Sequence, residues 1–89
     1  MDKDNIYYAK LFLDMLPEAD FYNYHLRRYY PKGLWVLEAN GEAQGEFGDI
    51  IKFKESTVLY FDDDDAVKIV ASEIGADIDW REYEHNKNS

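Results

Sequence analysis

The sequence contains no cysteine, relatively few basic residues and no long apolar run. Without cysteine the chain can form no disulfide framework, no thiolate zinc site and no cysteine nucleophile. Lys and Arg total 10 against 19 Asp and Glu, which gives a formal net charge of −9. That sign argues against binding a phosphate backbone, because phosphates are bound by cationic surfaces. No run approaches the roughly 18 apolar residues that cross a bilayer.

The length and composition predict one globular domain. A chain of 89 residues is far below the size at which chains split into domains, and 46% hydrophobic residues suffice for a packed core. We expect the domain to cover residues 1–84, followed by a polar tail at 85–89. The first four residues include two aspartates and lack the basic and then apolar layout of a secretory signal, so we expect a cytoplasmic protein.

Two helices are predicted from the spacing of apolar residues. The first spans roughly Asp4 to Leu16, with Asp4 as its N-cap, and it ends there because the residue before Pro17 avoids helical geometry. The second follows the i, i+3, i+4, i+7 pattern from Val67 to Ile74. Gly75 comes where a left-handed residue often ends a helix.

Between and after these helices the pattern favours strands. Residues 21–30 alternate and are rich in aromatics, which favours a strand, with a short helix capped by Asp20 as the alternative. Asn40-Gly41 predicts a hairpin turn, since type I′ turns need positive φ at both central residues. Further β-rich segments are expected at 34–39, 42–47, 50–54, 57–61 and 76–81. The expected class is α+β: a small single domain with a mostly antiparallel sheet of four to five strands and two helices packed on one face.

The C-terminal third is the most acidic part of the chain, because residues 61–89 carry a net charge of −6. Four consecutive aspartates precede the second helix, and their position suits a helix N-cap with favourable dipole charges. Imitation of phosphate charge and a divalent-cation site are the alternatives, although calcium loops place their acids at alternate positions. The candidate partner-binding acids are Asp62, Asp63, Asp64, Asp65, Asp77, Asp79, Glu82 and Glu84.

Acids in the last predicted strand suggest a second way to imitate nucleic acid. Alternate residues of a strand lie about 6.5–7 Å apart, a spacing on the scale of phosphates along DNA. Asp77 and Asp79 are spaced in this way, so their carboxylates could form part of a phosphate-like row. The competing interpretation is an ordinary edge strand that its charges protect against aggregation.

A basic island interrupts the acidic chain at residues 21–33, which carry a net charge of +3 and no acid. Interleaved Tyr and Arg are typical of protein interfaces and also of single-stranded nucleic-acid sites. Salt bridges to the acidic segments are a third interpretation. The candidate residues are Tyr22, Tyr24, Arg27, Arg28, Tyr29 and Tyr30.

No motif for catalysis or cofactor binding is present in the sequence. The two histidines, His25 and His85, lie 60 positions apart, and none of the serines lies in a nucleophile elbow. No glycine-rich phosphate loop occurs. We therefore expect no catalytic residue, no metal ligand, no cofactor and no enzymatic activity.

In kind, small acidic Tyr-rich domains without cysteine resemble phage and mobile-element proteins that bind and inhibit host machinery. The resemblance implies a non-enzymatic inhibitor in the host cytoplasm, whose acids occupy the nucleic-acid-binding surface of a basic protein. Expected targets are a nuclease, a CRISPR effector, a polymerase or a DNA-binding regulator, with no direct contact to nucleic acid or membrane. The alternative is a homodimeric structural or accessory subunit that uses the Tyr/Arg residues of 21–30 as a self-complementary patch.

Overall fold

The computed structural model describes the backbone of residues 2–83 and the side chains of residues 4–81. Its sheet has the strand order β3-β2-β1-β4; β1, β2 and β3 are antiparallel neighbours, and β4 lies parallel to β1. This confirms the predicted α+β domain with a small, mostly antiparallel sheet. Glu84 and the predicted tail at 85–89 lie outside the described residues. The elements are α1 (Asp2–Asp14), β1 (Phe21–Tyr29), β2 (Leu34–Gln44), β3 (Ile50–Tyr60), α2 (Asp64–Ile74) and β4 (Asp77–Tyr83).

Helix α2 forms where its apolar spacing predicts. The side chain of Asp63 accepts a hydrogen bond from the backbone N–H of Ala66 at 2.9 Å and so caps the first turn. Gly75 ends the helix in the left-handed region at φ +72°. The capping residues Asp63 and Gly75 therefore set the length of α2, and its apolar stripe determines which side packs against the core.

Helix α1 begins and ends earlier than predicted. It starts at Asp2, so Asp4 lies inside its first turn and is not the N-cap. It ends at Asp14, and the N–H of Leu16 bonds to the carbonyl of Leu13 in a tighter turn. Leu16 precedes Pro17, which disfavours helical geometry at that position. The helix therefore ends before Pro17 as expected, but residues 15 and 16 form a tighter turn instead of a continuation of the α-helix.

The predicted turn at Asn40-Gly41 is wrong, because both residues lie inside β2. Glycine is required at position 41 because the ring of Tyr22 from β1 occupies the space where a Cβ would stand. The true turn is at residues 45–49, where the N–H of Gly45 donates to the carbonyl of Asp49 at 2.7 Å. The four short β segments predicted over 34–61 are thus two long strands, and residues 55 and 56 lie inside β3.

The hydrophobic core lies between one face of the sheet and both helices, as predicted. Trp35 of β2 is 2% exposed and forms edge-to-face contacts with Phe61 at 6.1 Å and with Trp80 at 5.6 Å between ring centroids. Val67 and Val70 of α2 are fully buried against the same cluster, which also includes Ala9 of α1. None of the helices described is both long and apolar enough to cross a membrane.

Strand β1 confirms the preferred interpretation of residues 21–30 as a strand. Its register with β2 pairs Leu26 with Leu37 and Arg28 with Trp35, so alternate residues face the helices. Arg27 and Glu38 face the other way. We call this second side of the sheet the open face.

Candidate functional site

The segment Asp62–Asp65 follows β3 and includes the first two residues of α2, and it is exposed along its whole length. Its position at the start of α2 places the carboxylates beside the positive end of the helix dipole. Asp63 is held in place by its bond to the N–H of Ala66. Asp62 and Asp65 form no ion pair with any side chain that the structure describes. We call Asp62–Asp65 the acidic segment.

Two cations border the acidic segment. Nη1 of Arg28 lies 3.9 Å from Oδ1 of Asp64, at the long limit of an ion pair. Lys32 and the acidic segment line one shallow concavity of the surface. The Arg28 guanidinium also lies 5.9 Å from the ring centroid of Trp35 and 5.7 Å from that of Trp80. Its Nη2 donates to the carbonyl oxygen of Trp80. Arg28 is therefore a structural link between β1, β4 and the acidic segment, and it neutralises the aspartates only in part.

The predicted acids of β4 do not form one row with equal spacing. Oδ2 of Asp77 lies 3.9 Å from Nδ1 of His25, and the Asp77 side chain is 89% exposed. Asp79 accepts hydrogen bonds from Nε and Nη2 of Arg81 at 3.0 and 2.9 Å. The pairing of β1 with β4 shifts between Arg27 and Arg28, so the two-residue repeat holds from Asp77 to Asp79 and is interrupted before Glu82. Asp79 is thus locally neutralised, whereas Asp77 is open to solvent.

Glu82 and Glu84 complete the predicted acidic set. Glu82 lies in β4 opposite Arg28, but its side chain is outside the described ones, and Glu84 is outside the described residues altogether. Because α2 leads away from the acidic segment and the parallel strand β4 returns toward the end of β1, the end of β4 lies at the same end of the sheet as that segment. The topology therefore brings the backbone at Glu82 to the acidic end, and leaves Asp77 farther along the strand.

The predicted Tyr/Arg patch is divided between the two faces of the sheet. Tyr22, Tyr24 and Arg28 point to the helices, whereas Arg27 and Tyr29 lie on the open face, because side chains alternate along a strand. Tyr30 lies in the following turn and is 59% exposed. These six residues therefore do not share one face of the sheet.

The Tyr residues of β1 on the helix side have a structural role. The rings of Tyr22 and Tyr24 stack with 6.1 Å between centroids and 10° between planes. The Tyr22 hydroxyl donates to the carbonyl oxygen of Pro17, which ties the chain after α1 to the sheet. Loss of solvation, together with the neighbouring Tyr24 and Glu55, raises the pKa of the Tyr22 hydroxyl above its ordinary value.

Glu38 is the centre of a polar network that the sequence analysis missed. On the open face its Oε1 lies 3.1 Å from Nη2 of Arg27 in β1, and its Oε2 lies 3.3 Å from Nζ of Lys54 in β3. Burial alone would raise the pKa of the Glu38 carboxyl. Hydrogen bonds from Asn40 and Lys54 and the charges of Arg27 and Lys54 outweigh burial and lower that pKa below its ordinary value. The network links three strands, and the one signal for it was an acid within an apolar strand.

A second missed feature is an apolar groove of about 440 Å³ between α1 and the outer edge of β3. We call it the α1–β3 groove. Asn5 closes one end by donating from Nδ2 to the carbonyl oxygen of Tyr60 at 2.9 Å. The signal in the sequence was that apolar residues of α1 extend beyond one stripe. On the α1 side the groove is lined by side chains that are 42–76% exposed, Tyr8, Leu11 and Met15, and on the β3 side it is lined by residues 57–60.

No family model, curated protein or solved structure matches this chain. Within the part of the chain that the structure describes, no group of three or more His, Asp or Glu side chains is arranged to hold a metal ion.

Proposed function

We propose that this chain is a non-enzymatic binding protein that presents the acidic segment Asp62–Asp65 to the basic surface of a partner protein. The observation that supports the proposal is the exposure of four consecutive aspartates at a fixed helix start, with only partial neutralisation by Arg28 and Lys32. Partners of suitable chemistry are a nuclease, a CRISPR effector, a polymerase or a DNA-binding regulator. The carboxylates would then occupy positions that serve phosphates.

The geometry of the segment suits this role. Asp63 holds the start of α2 by its hydrogen bond to Ala66, so little conformational freedom is lost when a partner binds. Opposite charges on two surfaces accelerate association and select the orientation of the complex. The remaining charge of a chain at −9 would add to this attraction at long range. The setting that fits best is a phage-type inhibitor acting in the cytoplasm of a host cell.

Two variants with the same change in net charge would test the proposal. The first neutralises the segment but keeps the cap residue Asp63, by the changes Asp62→Asn, Asp64→Asn and Asp65→Asn. The second neutralises three exposed acids outside the segment, by the changes Asp14→Asn, Glu18→Gln and Glu46→Gln. The wild-type chain would first be used to isolate a partner from cells of its source, and the partner would then be purified.

The dissociation constant of the purified complex would be measured for all three proteins at about 50 and about 200 mM salt. We expect the segment variant to bind about tenfold more weakly, which corresponds to about 1.4 kcal/mol, and the matched variant to change less. Labelled DNA should compete with the wild-type chain for the partner. Equal weakening by both variants, or an affinity independent of salt, would contradict the assignment of the acidic segment.

A further inference from the structure

Strand β3 forms one edge of the sheet over its whole length. Eleven consecutive residue pairs join it to β2 without a shift in register, and no other described strand pairs with it. Its outward backbone N–H and C=O groups are therefore available to another strand, except that Asn5 covers the carbonyl of Tyr60. The α1–β3 groove lies directly beside this edge and exposes apolar side chains. The backbone groups and the groove together form one continuous surface.

We propose that this surface is the interface of a homodimer, in which the β3 strands of two copies pair antiparallel about a twofold axis at Ser56. The sheet would become continuous across eight strands, with both α1 helices on one face. The interface is formed by the β3 edge and the α1–β3 groove and not by the predicted Tyr/Arg patch. The acidic segment contributes only a charge attraction to it, so different variants test this proposal and the function proposed above.

The register follows from charge. Both α1 helices lie on one face only when the axis is perpendicular to the sheet, and a residue of β3 then lies opposite itself. An axis at Glu55 would place two carboxylates opposite each other, and an axis at Lys54 would do the same with two ammonium groups; both are unfavourable. An axis at Ser56 gives the longest ladder without such pairs, over residues 52–60. Its cross-strand pairs are Lys52 with Tyr60, Phe53 with Leu59, Lys54 with Val58, and Glu55 with Thr57.

Charge complementarity favours a second copy as the occupant. The first half of β3 carries Lys52, Lys54 and one acid, Glu55, which leaves it net basic, and the far end of the strand leads into the acidic segment. Lys54 already pairs with Glu38, so Lys52 is the lysine of this half without a partner in the same chain among the described ion pairs. Antiparallel pairing brings the basic half of each strand toward the acidic segment of the other copy, and the symmetry provides this approach twice. This attraction opposes the overall repulsion between two chains that each carry a net charge of −9. Salt screens the repulsion over longer distances.

Helix α1 supplies the apolar part of the interface. Tyr8 and Leu11 follow the i, i+3 spacing that places side chains on one face of a helix, and Met15 lies in the turn directly after α1; the three side chains are 56%, 42% and 76% exposed. In the dimer this face would meet the same face of the second α1 across the axis. Removing these side chains from water provides the non-directional part of the binding energy. The strand ladder provides the geometry.

Sedimentation equilibrium of the full chain would test the proposal. The double variant Leu11→Glu/Met15→Glu adds charge to exposed positions of the groove, so the fold should persist, which circular dichroism would verify. The matched control is the double variant Ile69→Glu/Ser72→Glu, which adds the same charge at two exposed positions of α2 outside the groove. We expect the wild type and the control to dimerise and the groove variant to dissociate at least about tenfold more readily. A wild type that stays monomeric at about 1 mM, or a groove variant that dimerises equally well, would overturn the proposal.

The absence of cysteine allows a second test, of the register itself. Residues directly opposite in an antiparallel ladder have Cα atoms about 4.5–5.5 Å apart, which lies within the range that a disulfide spans. We expect Ser56→Cys to form a covalent dimer under mild oxidation and Ser72→Cys, exposed on α2, to remain largely uncrosslinked. No crosslink at position 56, or equal crosslinking at both positions, would overturn the register. The groove variants should leave binding at the acidic segment unchanged, so the two proposals can fail separately.

Discussion

The two edges of the sheet differ in length, regularity and charge. Strand β4 is 7 residues long and pairs parallel to β1 with a shift in register, whereas β3 is 11 residues long and regular. Charged residues Asp77, Asp79 and Arg81 alternate along β4. On β3, Val58 and Tyr60 are 50% and 70% exposed. A short, shifted and charged edge resists pairing with other chains, and a long regular edge permits it.

The edges also differ in how they are attached. Side chains hold β4 in place: Ile78 packs against the core, and Trp80 contacts both Trp35 and Arg28. Strand β3 is held by its long ladder with β2 and by the ion pair from Lys54 to Glu38. A loss of core packing should therefore affect β4 first, and a loss of charge on the open face should affect β3.

The largest effect is expected from Trp35→Ala, which removes the ring that joins β4 to the core. Large-to-small changes of this kind cost about 3–5 kcal/mol of unfolding free energy, because they leave a cavity. Urea unfolding would measure the loss, and hydrogen exchange should show β4 opening before β3. Trp80→Ala, at a ring that is 37% exposed, should cost less. An equal or larger loss at Trp80 would contradict this account of the β4 attachment.

An intermediate effect is expected from Asp63→Ala, which removes the N-cap of the helix that leads into β4. We expect a loss of about 1 kcal/mol in the free energy of unfolding, because the N–H of Ala66 loses its acceptor. Asp63→Asn should retain most of the stability, since an amide oxygen also caps. Asp62→Ala changes an exposed aspartate that is not the cap and should stay within about 0.5 kcal/mol of the wild type. A loss at Asp62 as large as that at Asp63 would show that charge, not capping, stabilises this helix start.

The smallest effect is expected from Glu38→Gln, which weakens the link from β2 to Arg27 and Lys54. The loss should be about 1 kcal/mol or less at neutral pH, since both cations are partly exposed. The pKa of Glu38 is lowered in the folded chain, so the carboxylate stabilises the fold fully above its ordinary pKa. That stabilisation is lost as the pH falls through the lowered value. Urea unfolding across an acid titration should show the difference between wild type and variant vanishing at low pH.

Sequence patterns within a short segment predicted those elements whose ends are set by residues of the same segment. Helix α2 combines a capping aspartate, an apolar stripe and Gly75, and all three lie in one short segment. Gly41 shows where such reasoning fails, because it admits the Tyr22 ring from a neighbouring strand and does not form a turn. An Asn-Gly pair gives the same local signal in a hairpin turn and inside a strand. Only the pairing of β1 with β2, which is a contact between residues distant in the sequence, distinguishes the two.

The surfaces were predictable in composition and not in arrangement. Strand alternation could have separated Arg27 from Arg28, since adjacent residues of a strand face opposite sides. The neutralisation of Asp79 by Arg81 depends on geometry beside a shift in register, which no local pattern encodes. The α1–β3 groove depends on how α1 lies against an edge, and that position follows from packing across the whole domain.

The parallel placement of β4 has a consequence for the newly made protein. Strands β1 to β3 leave the ribosome in order and can pair with their neighbours at once, since hairpin contacts are local in the chain. The backbone groups on the outer side of β1 stay unpaired until β4 has been synthesised, because β4 is the last strand of the sheet in the sequence. During translation the nascent sheet therefore has an additional unprotected side, which chaperones or neighbouring nascent chains can reach before α2 folds back over the core.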